Sequence, residues 1–129
     1  MLLLDTHAVI WLATDLSQLT EQAKSAIRYH ASELYVSSIT ALEISLLVRG
    51  GKLKWGKNPH ALYLRAVEHH RLSEVPVDSE IAWNSAQLPP IHRDPFDRIL
   101  IATAQKHKMT ILTKDRIIPT YPKVKAVWE

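Results

Sequence analysis

The chain has no cysteine and only three glycines, and each shortage closes off a kind of chemistry. Without thiols there is neither a disulfide framework nor a thiolate metal site. The glycines are Gly50, Gly51 and Gly56; none follows a predicted strand, so no phosphate-cradling nucleotide loop is present. No apolar run approaches the ~18 residues that a membrane-crossing helix needs. The seven histidines include no HExxH-type pair, which removes the usual helical zinc motif. No Asp lies between Asp15 and Asp78, so the chain lacks the acid that a phosphoacceptor receiver domain carries at the end of its middle strand. A G-x-S-x-G nucleophile elbow is missing too.

What remains is an ordinary globular composition, 47% hydrophobic and 22% charged, in a chain of single-domain length. We read residues 1–129 as one domain. The net charge is +3 with a pI near 9.3, a mild basic excess that permits an acidic partner such as nucleic acid. The excess is uneven: from Ile101 onward six Lys or Arg face two acids, Asp115 and Glu129. Met1-Leu2-Leu3-Leu4 meets Asp5 with no basic leader and no small-residue cleavage site. A cytoplasmic location and no membrane association are therefore expected.

Leu2-Leu3-Leu4 reads as a strand buried on both faces and ended by an acid. A helix from Thr6 to Ala13 follows, then a second from about Thr20 to His30. Leu34 to Val36 reads as a strand. Ser37 and Ser38 are capping candidates for an apolar helix over Ile39–Val48, which Gly50-Gly51 stops. Lys52 to Lys57 is a basic loop, and Asn58-Pro59 opens a helix to about His70 by cap and first-turn logic. Leu72–Val75 is a third strand, and Asp78 caps a helix that ends before Pro89-Pro90. Asp94-Pro95 opens the helix that carries Asp97. Met109–Thr113 and Val124–Val127 supply the last two strands. Strands alternating with helices imply βαβ units: an α/β fold, a three-layer α/β/α sandwich with a mostly parallel central sheet. Ligands of such sheets sit beyond the carboxyl ends of the strands.

Four acids are expected at that rim. Asp5 ends the first strand, Glu43 follows the second on its helix, Asp97 lies in the first turn of a helix, and Asp115 stands two residues past the fourth strand. Each has a plainer use. Asp5 suits the cap of the next helix, Thr40-Ala41-Leu42-Glu43 fits a capping box, and Asp115 suits a turn. Asp94 is assigned to capping. Against the plain readings, Asp97 shares a helix face with Leu100, Ile101 and Ala104, and Glu43 shares one with Ile39, Leu46 and Leu47. Carboxylates on apolar faces need something to compensate their charge. Two of them ~5 Å apart repel by about 3 kcal/mol at an effective dielectric near 20. A hard divalent cation with oxygen ligands, Mg²⁺ or Mn²⁺, resolves the conflict.

The residues Leu4-Asp5-Thr6-His7, Ser37-Ser38 leading to Glu43-Ile44, His92-Arg93-Asp94-Pro95-Phe96-Asp97-Arg98, and Leu112-Thr113-Lys114-Asp115 together resemble the PIN-domain family. More narrowly, they are similar to the VapC toxins of type II toxin–antitoxin modules. The block around Asp97 is the most specific part. The resemblance implies a Mg²⁺- or Mn²⁺-dependent ribonuclease cutting tRNA or rRNA, a homodimer, and a cognate antitoxin that blocks the acidic pocket. By position, Asp5, Glu43 and Asp97 match the core metal-binding acids, Asp115 the fourth acid, and Thr6 and Thr113 supporting hydroxyls. Ala41-Leu42 stands where many relatives have a Trp before the Glu, and Arg116-Ile117-Ile118-Pro119 departs from the usual polar continuation.

Basic residues expected to contact RNA backbone are Lys52, Lys54, Arg98, Lys114 and Arg116. Two other readings stand beside the nuclease. One is a PIN-like RNA-binding module without catalysis, which would bind RNA equally well with EDTA present. The other is a metal-dependent phosphatase, which would hydrolyse small phosphomonoesters and leave RNA uncut.

Overall fold

The computed structural model describes residues 1–129. Three successive leucines suit a strand sealed on both faces, and β1 (Leu2–Leu4) is fully buried. The other strands are β2 (Leu34–Ser37), β3 (Ser73–Val75), β4 (Thr110–Leu112) and β5 (Lys125–Val127). They form one sheet in the order β3-β2-β1-β4-β5, with every pairing parallel. Six helices complete the chain: α1 (Thr6–Thr14), α2 (Glu21–Tyr29), α3 (Ile39–Arg49), α4 (Pro59–His69), α5 (Ser79–Gln87) and α6 (Pro95–His107).

Side chains alternate across the sheet, and β1 shows what that does. Leu2 and Leu4 pack with Val9 of α1, Ala23 of α2, Leu34 and Val36. Leu3 points the other way, into a cluster with Leu100, Ile101 and Ala104 of α6 and Ile111 of β4. The three-layer α/β/α arrangement follows from that division. A smaller cluster of Ile10, Ile44, Trp55 and Tyr63 joins α1, α3 and α4.

Strand order places the crevice. The chain moves outward from β1 to β2 and β3, then returns to lay β4 on the other side of β1. The two directions of winding part at the carboxyl ends of β1 and β4, which is where ligands enter such sheets. Asp5 and Thr113 are the next residues after those strands.

The expected elements are present, with small shifts. Thr20, Asn58, Asp78 and Asp94 each cap a helix with the side chain, and Pro59 and Pro95 open theirs. β4 is shorter than Met109–Thr113, and single 3₁₀ turns at Leu16–Gln18 and Ile118–Thr120 had no clear sequence signal.

Two local expectations fail. Leu46 is half exposed, so the face it shares with Glu43 does not run inward along its whole length. Nor does Thr40 cap a helix: α3 begins at Ile39, and Ser38 before it already has helical backbone, φ −59° and ψ −24°. Glu43 therefore stands too deep in the helix to reach back to its amino end. Ser37 Oγ accepts the Ile39 N–H at 3.1 Å instead, while Ser38 Oγ accepts from Val77 N.

Candidate metal centre

Asp5 is the residue on which β1 stops, and its buried carboxylate has two partners. Oδ1 accepts the Ala8 N–H at 2.8 Å, capping α1, and Oδ2 accepts from Thr113 Oγ1 at 2.5 Å. The capping use and the site use are thus one geometry: the cap fixes one oxygen and leaves the other at the crevice. Burial raises the Asp5 pKa; the hydrogen bonds from Thr113 and Ala8 work against the rise without cancelling it.

Thr6, one residue on, donates its hydroxyl to Glu43 Oε1 at 2.5 Å. This contact ties α1 to α3. Burial raises the Glu43 pKa, opposed by the Thr6 hydrogen bond and reinforced by the nearby charge of Asp94.

Asp97 comes from the first turn of α6. Its pKa is pushed up to about 7, first by burial and next by the charge of Asp94, with Asp115 and Asp5 adding to the rise and His92 opposing it. Leu100, Ile101 and Ala104 on the same helix are buried, so core packing fixes where this carboxylate can go. Asp115 differs. Burial pushes its pKa up, but hydrogen bonds from His92 and from the Ile117 and Ile118 N–H groups outweigh that and hold it below the usual carboxylate range.

His92 links these last two acids. Its Nε2 is 2.9 Å from both Asp97 Oδ2 and Asp115 Oδ2, and the three groups place their ligating atoms within 4.8 Å of one another. Nδ1 accepts the Asp94 N–H at 3.2 Å. In the neutral ring this assigns the proton to Nε2, making His92 a donor to the acids rather than a lone-pair ligand. Its backbone is fixed as well: its N–H donates to Tyr121 Oη at 2.7 Å and its carbonyl accepts from Arg98 at 3.1 Å. In sequence His92 opens the His92–Arg98 block without a signal of its own for a role; only its place two residues before the helix cap points to the site.

All four acids line one hollow of about 500 Å³, together with Asp94, His92, His7, Trp11 and Lys114. Thr6 lines it too, and Thr113 supports it through Asp5. Asp94 both caps α6, accepting the Phe96 N–H at 2.9 Å, and faces this pocket. Carboxylate oxygens from four separate elements form a donor set that fits a hard divalent cation, Mg²⁺ or Mn²⁺. A groove of about 600 Å³ between α3 and α4 is larger, yet no carboxylate lines it, and such chemistry has no place there.

The basic residues divide. Lys114 lines the acidic pocket and Arg116 a neighbouring hollow. Lys52 and Lys54 line neither, being on the loop between α3 and α4. Arg98 departs from the expectation of a free phosphate contact. Its guanidinium donates to the carbonyls of Leu88 at 2.8 Å, Pro89 at 3.0 Å and His92 at 3.1 Å, with a longer bond to Ala86. It straps the segment between α5 and α6, because those carbonyls have no helix to bond within. The tryptophans also sort: Trp55 and Trp128 are buried, while Trp83 is 71% exposed.

Comparison with known proteins adds independent findings. The profile of the PIN domain family matches residues 2–124. Ribonuclease VapC22 of Mycobacterium tuberculosis is 30% identical over 129 residues, covering 98% of this chain and 97% of that protein. Among solved structures, VapBC2 from Rickettsia felis bound to a promoter DNA fragment superposes with a TM-score of 0.72 at 13% identity, over 99% of this chain and 98% of its own. A toxin–antitoxin complex from Klebsiella pneumoniae gives 0.64 at 23% identity, over 96% and 95%. At these identities the two structures speak for the fold.

Proposed function

The chain belongs to the PIN domain family, and from that we propose that it is a divalent-metal-dependent endoribonuclease, the toxin of a type II toxin–antitoxin pair. The observation that carries the reading is convergence. Asp5, Glu43, Asp97 and Asp115 arrive from four elements at one pocket, at the point where the sheet reverses its winding. Asp97 is so crowded by burial and neighbouring acids that it titrates near 7. The similarity to a protein named a ribonuclease supports the same reading.

The four acids would hold Mg²⁺ or Mn²⁺. Bound there, the cation supplies Lewis acidity, lowering the pKa of bound water and offsetting charge on the phosphoryl oxygens. The chain's own residues prepare the place. Thr113 and Thr6 fix one oxygen each of Asp5 and Glu43. Burial and neighbouring acids push the Asp97 pKa up to about 7, so a bound cation would favour its charged form. His92 holds Asp97 and Asp115 together through Nε2. Lys114 stands at the same pocket and offers its ammonium to the substrate phosphate.

The proposal includes partners: an RNA substrate of the tRNA or rRNA kind, a cognate antitoxin protein and a second copy of the chain. Leu42 and Leu46 on α3 and Leu64 on α4 are about half exposed and Trp83 on α5 more so, giving apolar surface for a protein partner. No helix is long and apolar enough to cross a membrane.

The test is purified protein with labelled structured RNAs in Mg²⁺, Mn²⁺ or EDTA, beside Asp97→Asn. Internal cleavage with either metal is expected, with none in EDTA and none from the variant. Cleavage by Asp97→Asn at the wild-type rate would overturn the assignment, as would RNA left intact while small phosphomonoesters are hydrolysed.

A further inference from the structure

We infer that a second hollow, joined to the acidic pocket through Lys114 and Asp115, is a subsite for one ribonucleotide beside the phosphate that is cut. The inference rests on the nuclease reading and adds where the substrate strand continues. The hollow measures about 330 Å³, and Lys114, Arg116, Pro119, Val127 and Trp128 frame it. It opens past the carboxyl ends of β4 and β5. Its size is at the small end of the ~300–1,000 Å³ typical of ligand sites, enough for a single nucleotide. Both hollows share Lys114 and Asp115, so they adjoin, as the sites of successive nucleotides of one strand would.

The two hollows differ in charge. The first gathers acids, which a cation must offset before any phosphate can approach. The second holds Lys114 and Arg116, and neither is engaged in an ion pair. Of its acids, Glu129 is exposed at the rim. Asp115 is committed elsewhere, accepting Ile117 N–H at 2.6 Å and Ile118 N–H at 3.1 Å on Oδ1, and meeting His92 through Oδ2. Two cations outside any ion pair, next to a phosphate-cutting site, suit the neighbouring phosphate.

Pro119 and Val127 add apolar surface for a base, with the buried Trp128 ring behind them. Trp128 is fixed before a ligand arrives: its ring packs against Trp11 at 5.7 Å between centroids, and its carbonyl accepts the Thr20 hydroxyl. A fixed platform loses little conformational freedom on binding.

The experiment is a titration of the full chain, in EDTA, with adenosine 5′-monophosphate, following the four tryptophan indole N–H signals by NMR. A saturable shift at Trp128 is expected, with Trp55 and Trp83 unmoved. Arg116→Gln should weaken the affinity about tenfold, whereas Arg28→Gln, the same charge change on the exposed end of α2, should leave it within about twofold. The inference is overturned if Trp128 does not respond up to millimolar nucleotide, if Arg116→Gln binds as tightly as Arg28→Gln, or if inorganic phosphate alone reproduces the shift. No metal and no cleavage enter this measurement. Intact shifts from a protein that leaves RNA uncut with Mg²⁺ or Mn²⁺ would therefore defeat the nuclease reading alone.

Discussion

Thr113 Oγ1 donates to Asp5 Oδ2 at 2.5 Å, joining residues 108 apart in sequence across the carboxyl ends of two adjacent strands. Thr113→Val keeps the shape and removes the donor, leaving a buried carboxylate oxygen unpartnered. A stability loss of about 1–3 kcal/mol is expected by urea denaturation at neutral pH. Because this bond holds the Asp5 pKa down, its loss should move the acidic limb of the RNA-cleavage profile to higher pH. A limb that stays in place would separate Thr113 from the ionisation of Asp5.

Asp97 makes the metal-free protein sensitive to pH in a direction opposite to most acids. Its folded pKa, about 7, lies above the ordinary 3.8. Between those values the folded chain holds more protons than the unfolded one, so stability falls as pH rises through that window and levels off above it. Asp97→Asn should shrink this fall, leaving the part that the raised pKa values of Asp5 and Glu43 contribute, and stabilise the metal-free protein at alkaline pH by on the order of 1–3 kcal/mol. Thermal melts across pH check this. Adding Mn²⁺ should raise the wild-type melting temperature far more than that of the variant.

His92 supplies the N–H that Asp97 and Asp115 share. His92→Ala should lower cleavage activity or metal affinity about 10- to 100-fold, the range for a residue that orients ligands without being one. His92→Gln, which offers an amide N–H, should recover part of the loss. Titration calorimetry with Mn²⁺ separates an effect on binding from one on turnover. Equal defects in both variants would count against a donor role.

Arg98 should behave as a structural strap. Arg98→Ala removes donors from the carbonyls of Leu88, Pro89 and His92 and is expected to destabilise the fold by about 1–3 kcal/mol. The salt dependence of RNA binding should keep its slope, because no phosphate contact has been lost. A slope reduced by about one would return Arg98 to the RNA-binding set.

Much of this molecule was legible before any coordinates. A run of leucines ended by an acid, an Asn-Pro and an Asp-Pro helix start, and the apolar faces around Asp97 are local signals. They place strands, caps and helices within a residue or two. The acids were found the same way, since each stands just past a strand or in the early turns of a helix. The plainer capping box at Thr40 does not form, because Ser38 already takes helical backbone, while its hydroxyl bonds Val77 from a distant segment. The carbonyl contacts of Arg98 were not legible, because a free guanidinium and a strapped one look alike in sequence.

Fold class, strand ends and the carboxylates available for chemistry are set locally, because hydrophobic period and capping act over a few residues. That β4 lies beside β1, bringing Thr113 to Asp5, and that His92 reaches between Asp97 and Asp115 follow from long-range packing. Those contacts join elements remote in sequence, and the packing of Leu3 against α6 on one face and Leu2 and Leu4 against α1 and α2 on the other sets them in place.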